Sequence, residues 1–487
     1  MFLDRKLIPQ SKNSKKKLRM EKEIISKARL EDHDGVRILK IRGSPYEMGY
    51  QHGWLLSSAI KLMVTQTTMS LPAYVSTLTG QSFEKSLALA RDNASAAKSH
   101  LPNECLEEIR GIVDGASAAS STQFTFDQIL LWNTYYDQWC IYCHPHYWRE
   151  LVTNNKPKHG SLAGSVGCSS FSAWDKEWAG GDGRLVFGKN EDNFNMPFQL
   201  ENRIMVVAKP DQGNGHVFIT FPGLIGFDGG FNEKGLQIMT QLNSMKDETM
   251  EGYGIGVLTR LMLRRCTSVK NCIELLGQVP LCGGIAWHVA DGVAKQAVIV
   301  ETSSKRICVR YPHGTAKAIW QSNHSNCYPG WEGYAGYNMV KDQQLVNVLD
   351  AVDTVENWQR SLRDPENMYV QAPSRFERYR QLLQEYKGNI TISNAIKILC
   401  DRYDPYTQQT RNIGEVSPTN NIRCTICALY PDMSFGTTGR QFKAHIANLW
   451  SMVSTPETGD FWLAIKDFPA QYGGYQHFNL HCLLQDF

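Results

Sequence analysis

The sequence predicts an α+β protein, with a helical N-terminal third followed by a mainly antiparallel sheet protein that carries helices on its outside. Three observations predict it. Helical periodicity dominates from Ser44 to about residue 140. Downstream of Cys168, short apolar runs bounded by turn residues recur, which is strand behaviour. The 487 residues are 42% hydrophobic and 20% charged, an ordinary globular composition with enough apolar mass for one large domain or two. No solenoid-length repeat is present.

The elements follow in order. Residues 1–34 form a basic leader. Residues 1–30 hold ten Lys/Arg against Asp4, Glu21 and Glu23, a local balance of +7, which leaves the rest of this +3 chain at −4. Such a leader can meet nucleic acid or anionic lipid. No aromatic residues interleave with its lysines, so a flexible, solvated tail and no nucleic-acid partner are expected. Val36–Ile41 alternates as a strand. Ser44, Pro45 and Glu47 then spell a capping box with proline in the first turn. Helices are expected at Glu84–Ala97 and Glu104–Ala119, and together residues 35–167 form a mainly helical segment. Tyr135–Trp148 is rich in aromatics and histidine, suited either to a pocket or to a core. Lys156–Ser165 is polar and exposed. Strands are expected at Leu185–Gly188, Arg203–Ala208, His216–Thr220, Leu236–Leu242, Ala286–Val289, Ala297–Glu301, Ile307–Arg310 and Ile422–Tyr430. Helices are expected at Tyr253–Cys266, Ser268–Leu276, Lys341–Val352 and Arg375–Tyr386.

Met1-Phe2-Leu3-Asp4 lacks the charged and apolar regions of a secretory signal, and no apolar run reaches the ~18 residues of a membrane span. A cytoplasmic protein is expected. The thirteen cysteines, an odd number without framework spacing, are then expected to be reduced and mostly buried.

One cysteine carries a chemical pattern. Gly167-Cys168-Ser169-Ser170-Phe171 leads into the turn Gly180-Gly181-Asp182-Gly183. Leu185-Val186-Phe187-Gly188-Lys189-Asn190-Glu191-Asp192 then returns. This reads as strand, hairpin turn and strand, with a carboxylate brought back towards a thiol. Cutting the Gly167–Cys168 bond would give Cys168 an α-amine that titrates near pH 8, a suitable base for its own sulfur. Three rival patterns exist. Cys140-Ile141-Tyr142-Cys143-His144 spells a haem attachment site, which requires export. The same cluster with His146 and the Cys424/Cys427 pair could hold zinc in a metal-binding module, although the pairs lie far apart. Ala163-Gly164-Ser165-Val166-Gly167 nearly spells a serine nucleophile elbow, but the polar Asn154–Lys158 precedes it where an apolar strand should be.

The Cys168 hairpin, with its Lys189-Asn190-Glu191-Asp192 return, resembles the N-terminal-nucleophile hydrolases of the penicillin acyltransferase group, the C45 peptidase-like acyltransferases. More distantly it is similar to choloylglycine hydrolases and penicillin V acylases. Asn232-Glu233-Lys234-Gly235-Leu236, the hairpin from Trp287 to Glu301, Ser322-Asn323-His324, Ser374-Arg375 and the Gly43–Gly53 start extend the likeness over about residues 43–440. The resemblance implies a four-layer αββα sandwich with a helical N-terminal pro-segment. It implies autocatalytic cleavage between Gly167 and Cys168, a bound α-chain (1–167) and a catalytic β-chain (168–487). No cofactor and no metal is implied. The substrate class is a small acyl-amide, with water, an amine or an acyl-CoA partner in the acyl exchange. By resemblance Cys168 is the nucleophile, Asp192 orients its amine, Asn243 serves the oxyanion, and Asn323 is a second polar anchor. Arg375 lowers the thiol pKa or binds a substrate carboxylate, and Lys189, Asn190, His324 and Ser374 support them. Gln241 competes with Asn243, and Lys189 stands where bile-salt-type relatives carry arginine.

Overall fold

Two strands laid down before Cys168 share a sheet with strands laid down after it. The computed structural model describes residues 12–142, 168–194, 197–243, 245, 247–323, 326, 371–405, 408–411, 425–435 and 442–487. Its larger sheet has nine strands. In spatial order they are β1 (Arg29–His33), β2 (Val36–Gly43), β5 (Ile204–Pro210), β6 (His216–Thr220), β7 (Gly229–Asn232), β8 (Leu236–Leu242), β9 (Ile285–Asp291), β10 (Gln296–Thr302) and β11 (Ile307–Arg310). Every neighbouring pair is antiparallel except β2 and β5, which run parallel from Ile38↔Met205 to Gly43↔Pro210.

The second sheet has seven strands. They run β12 (Ala318–Gln321), β3 (Ser169–Ala173), β4 (Val186–Phe194), β16 (Phe442–Thr455), β17 (Asp460–Ala464) and β18 (Gln476–Asn479), with β15 (Leu429–Phe435) also paired to β16. A separate small ladder joins β13 (Tyr403–Asp404) to β14 (Gln409–Thr410). The sheets meet face to face through Gln237 and Ser454, Phe231 and Phe461, and His288 with Ser170 and Ser172.

Helices cover both outer faces. Among the described residues seven precede Cys168: α1 (Lys12–Ile25), α2 (Pro45–Leu55), α3 (Ser57–Thr79), α4 (Phe83–Lys98), α5 (Asn103–Ala119), α6 (Phe126–Asn133) and α7 (Tyr135–Tyr142). After the short α8 (Pro197–Leu200), α9 (Ile255–Arg265) and α10 (Val269–Gln278) pack on β7 to β10 of the larger sheet. Helices α11 (Gln371–Glu385) and α12 (Ile392–Leu399) pack on β3, β4, β12 and β16 of the other, and α13 (Leu480–Gln485) closes the chain. The order helix, sheet, sheet, helix is the expected αββα sandwich. It explains the sequence pattern: strands covered on both faces, such as β6, are buried at every position, so Val217, Phe218 and Ile219 are consecutive apolar residues rather than alternating ones.

The helical segment is tied closely to the sandwich. Ser44 and Glu47 form the expected reciprocal cap on α2. Helices α2 and α5 cross at glycines: a Cβ on Gly49 would lie 2.0 Å from the Glu108 carbonyl, and one on Gly111 would lie 2.2 Å from that of Tyr46. From α5, Glu108 forms a buried ion pair with Arg260 of α9 at 2.8 Å. Trp132 Nε1 donates to the Pro222 carbonyl, and Asp137 of α7 accepts from the Ile255 N–H at the head of α9.

Three expectations change. The expected leader contains α1 and β1; Ile24 is buried and β1 pairs with β2. The sandwich does not begin at residue 168, since β1 and β2 belong to it. The strand expected from Ile422 starts at Leu429. Lys341–Val352 lies outside the described residues.

Candidate active site

The β3–β4 hairpin forms as expected. Gly180, Gly181 and Gly183 all take positive φ in its turn, a conformation glycine adopts without steric penalty. Its register pairs Ser169 with Asn190 and Ala173 with Val186. One step further, Cys168 comes level with Glu191. Paired residues of an antiparallel ladder present their side chains on the same face. The thiol therefore meets Glu191, and Cys168 Sγ lies 2.8 Å from Glu191 Oε2. Asp192 points to the opposite face.

On the sulfur's face Lys189 Nζ lies 3.2 Å from Glu191 Oε2 and 2.9 Å from Asp228 Oδ2, and it donates to the Thr240 carbonyl. Cys168, Glu191 and Asp228 thus bring three ligand-type atoms within 4.8 Å of one another. The Lys189 ammonium lies between the two carboxylates. Burial, then Glu191, pushes the Cys168 thiol well above the usual cysteine range, with Lys189 pulling the other way. Burial, then Asp228, pushes Glu191 well above the carboxylate range. Burial disfavours the Lys189 charge, but Asp228, Cys168 and Glu191 outweigh it and hold its pKa above the ordinary value. Tyr136, Phe227, Asp228, Leu242 and Ile255 enclose a cavity beside the sulfur, with about 20 Å³ reachable by the centre of a water molecule. Part of the expected aromatic run, Tyr136, is therefore pocket wall.

On the other face, Arg375 of α11 is fully buried. Its Nη1 donates to the Cys168 carbonyl at 2.9 Å and lies 3.9 Å from Asp192 Oδ2, and its Nη2 donates to Asn323 Oδ1 at 3.0 Å. Asn323 Nδ2 in turn donates to the Leu242 carbonyl at 2.9 Å. Asn448 donates to Asp192 Oδ1, while Asp192 Oδ2 is buried and, among the described residues, has no hydrogen bond. Burial lifts Asp192 to about 7, against the pull of Arg375 and Lys189. Asn190 holds the Leu399 and Ile426 carbonyls, fixing the end of α12 against β4.

The structure thus gathers Cys168, Lys189, Asp192, Asn323 and Arg375. Lys189 lies on the sulfur's face, paired with Glu191 and Asp228, while Arg375, expected to lower the thiol pKa or bind a substrate carboxylate, donates to the carbonyl of residue 168. Asn243 donates to Glu301 Oε2 at 3.3 Å and, among the described residues, has no hydrogen bond to Cys168. Its rival Gln241 donates to Ser170 Oγ at 2.6 Å. Gly167, His324, Cys143, His144, His146, Cys424 and the Ala163–Gly167 elbow lie outside the described residues, as do the side chains of Cys140 and Ser374. The sequence reading assigned no role to Glu191, Asp228 or Asn448. Hairpin register alone points to Glu191, whereas the other two come from distant strands.

The family model for acyl-coenzyme A:6-aminopenicillanic acid acyl-transferase matches residues 178–445. The chain belongs to this family. The matched region starts after Cys168 and takes in Lys189, Asp192, Asn243, Asn323 and Arg375. An uncharacterized protein of Archaeoglobus fulgidus is 26% identical over 289 residues, 57% of this chain and 45% of that relative. The chain therefore matches less than half of that relative's length. Among solved structures, a mutant of the conjugated bile acid hydrolase of Clostridium perfringens is 16% identical, with a TM-score of 0.35, covering 65% of this chain and 93% of that one. The N-acylethanolamine-hydrolyzing acid amidase ortholog of Caenorhabditis elegans is 12% identical, with a TM-score of 0.34, covering 60% and 93%. Penicillin V acylase of Agrobacterium tumefaciens is 11% identical, with a TM-score of 0.34, covering 61% and 83%. Among the described residues, no helix is long and apolar enough to cross a membrane.

Proposed function

We propose that this acyltransferase-family chain is an autoprocessed cysteine amidohydrolase or N-acyltransferase that cuts linear amides through an acyl-thioester on Cys168. One observation carries the reading: among the described residues a buried carboxylate oxygen, Asp192 Oδ2, lacks a hydrogen bond and lies 3.9 Å from the Arg375 guanidinium, which also donates to the carbonyl of residue 168. An unsatisfied buried acceptor costs about 1–3 kcal/mol. The ammonium of a newly freed Cys168 would supply the missing donor, so cleavage and amine orientation are favoured together.

In turnover the α-amine takes the thiol proton and the sulfur attacks the substrate carbonyl. The C–N bond breaks as the leaving amine takes that proton. Water or a second amine then attacks the thioester carbon, and the C–S bond breaks to restore the thiol. Arg375 fixes the backbone of residue 168 throughout. The acyl group and the choice of water or amine acceptor follow from substrates, and the acceptor decides between hydrolase and transferase.

The test is acid-quenched turnover with a panel of N-acyl amides and thioesters, followed by peptide mass mapping. The expected result is an acyl mass on the peptide beginning at Cys168, absent from Cys168→Ala. Steady turnover with an unmodified Cys168 and an active Cys168→Ala protein would refute the thioester.

A further inference from the structure

An amide nitrogen is not a base. Until the Gly167–Cys168 bond is cut, residue 168 offers its own sulfur no proton acceptor, so the first cleavage cannot use the base of later turnover. Glu191 Oε2 lies 2.8 Å from the sulfur in the continuous chain. Glu191 is also held as a catalytic base must be held. Lys189 grips the same oxygen, and Asp228 and the Thr240 carbonyl fix Lys189 in turn. Nucleophile, base and orienting group stand in series, the arrangement by which weak nucleophiles are activated.

We propose that Glu191 is the base of the maturation cleavage. The proposal rests on the reading above that Cys168 becomes a chain terminus. The proton of Cys168 Sγ passes to Glu191 Oε2 as the sulfur bonds to the Gly167 carbonyl carbon, whose π pair moves to oxygen. The intermediate collapses, the C–N bond breaks, and the nitrogen of Cys168 leaves with the proton from Glu191. Water then attacks the Gly167 thioester carbon. Its proton goes to the freed thiolate as the C–S bond breaks, leaving a Gly167 carboxyl group, a thiol and an α-amine. Strand parity divides the labour: Glu191 serves the sulfur before cleavage, and Asp192, on the opposite face, serves the nitrogen after it.

The experiment follows the fraction of full-length chain remaining against time by intact mass, for wild type, Glu191→Gln, Glu191→Asp and Cys168→Ala. The expected result is at least ~100-fold slower cleavage in Glu191→Gln, partial recovery in Glu191→Asp, and none in Cys168→Ala. In parallel, a full chain carrying a specific protease site directly before Cys168 is cut from outside. Externally cut Glu191→Gln should lose less of its amide turnover, relative to externally cut wild type, than the uncut variant loses of its cleavage rate, because the α-amine has replaced its base. Glu191→Gln cleaving at the wild-type rate would overturn the proposal and leave the proposed function standing. So would externally cut Glu191→Gln that melts like wild type yet stays inactive, since Glu191 would then serve turnover itself. A wild-type chain that never cleaves would overturn the proposed function instead.

Discussion

Glu191 and Asp192 are neighbours in sequence yet belong to separate networks, because a strand sends consecutive side chains to opposite faces. On the Asp192 side, Arg375 is the nearby cation. Arg375→Leu should cost about 3–5 kcal/mol, the usual penalty for stranding one member of a buried ion pair. Urea unfolding in the Cys168→Ala background measures this without interference from cleavage. Asp192 also sets a pH dependence. Its folded pKa of about 7 lies above the ordinary 3.8. A raised carboxyl pKa contributes stability that is complete below the unfolded value and is lost as pH rises through the folded one. Asp192→Asn should therefore flatten the fall in urea midpoint between about pH 4 and about pH 7. Parallel slopes in the two proteins would contradict this. At this scale the Cys168 hairpin was legible in its turn glycines and its paired apolar runs. The thiol's actual carboxylate was legible only in the hairpin register, which matches residue 168 with 191 and not 192. Asn448 and Asp228 reach the site from other strands, and no local pattern marks them.

The elements that position this site depend on close backbone approach. Helices α2 and α5 meet at Gly49, Gly53, Gly111 and Gly115, where every added Cβ would fall within 2.2 Å of a carbonyl oxygen of the facing helix. Gly111→Ala should destabilise the protein by at least about 2 kcal/mol, because backbone cannot rotate away as a side chain can. Gly277 in α10 is the contrasting case: nothing lies within 4 Å of its added Cβ. Gly277→Ala should stabilise by about 0.5–1 kcal/mol through helix propensity. Thermal or urea unfolding of the pair checks both signs. Elements with strong periodicity were readable, and β6, β8 and β11 match their expected bounds. The β1 strand was not, because Arg-Leu-Glu-Asp-His carries the charge an exposed edge strand requires and so looks like part of the leader. Its order comes from pairing with β2 and from the Lys40 contacts to Glu31 and Asp486, which only the folded chain brings together.

For the whole molecule, the placement of β1 and β2 means that cutting before Cys168 would divide a sheet rather than release a separate domain. The parallel β2–β5 ladder, the Glu108–Arg260 pair and the Asp137 contact to α9 all cross from the N-terminal segment to the rest. Fragments of the cut protein should therefore elute together from a sizing column in native buffer and separate only in denaturant. Separation without denaturant would contradict this account of the sheet. The claim on which the rest depends is that Cys168 becomes the first residue of a chain. N-terminal sequencing combined with intact mass of the purified protein tests it most directly. The account predicts two fragments, the larger beginning at Cys168, and one uncut chain for Cys168→Ala. Fully active protein with the Gly167–Cys168 bond intact would contradict it.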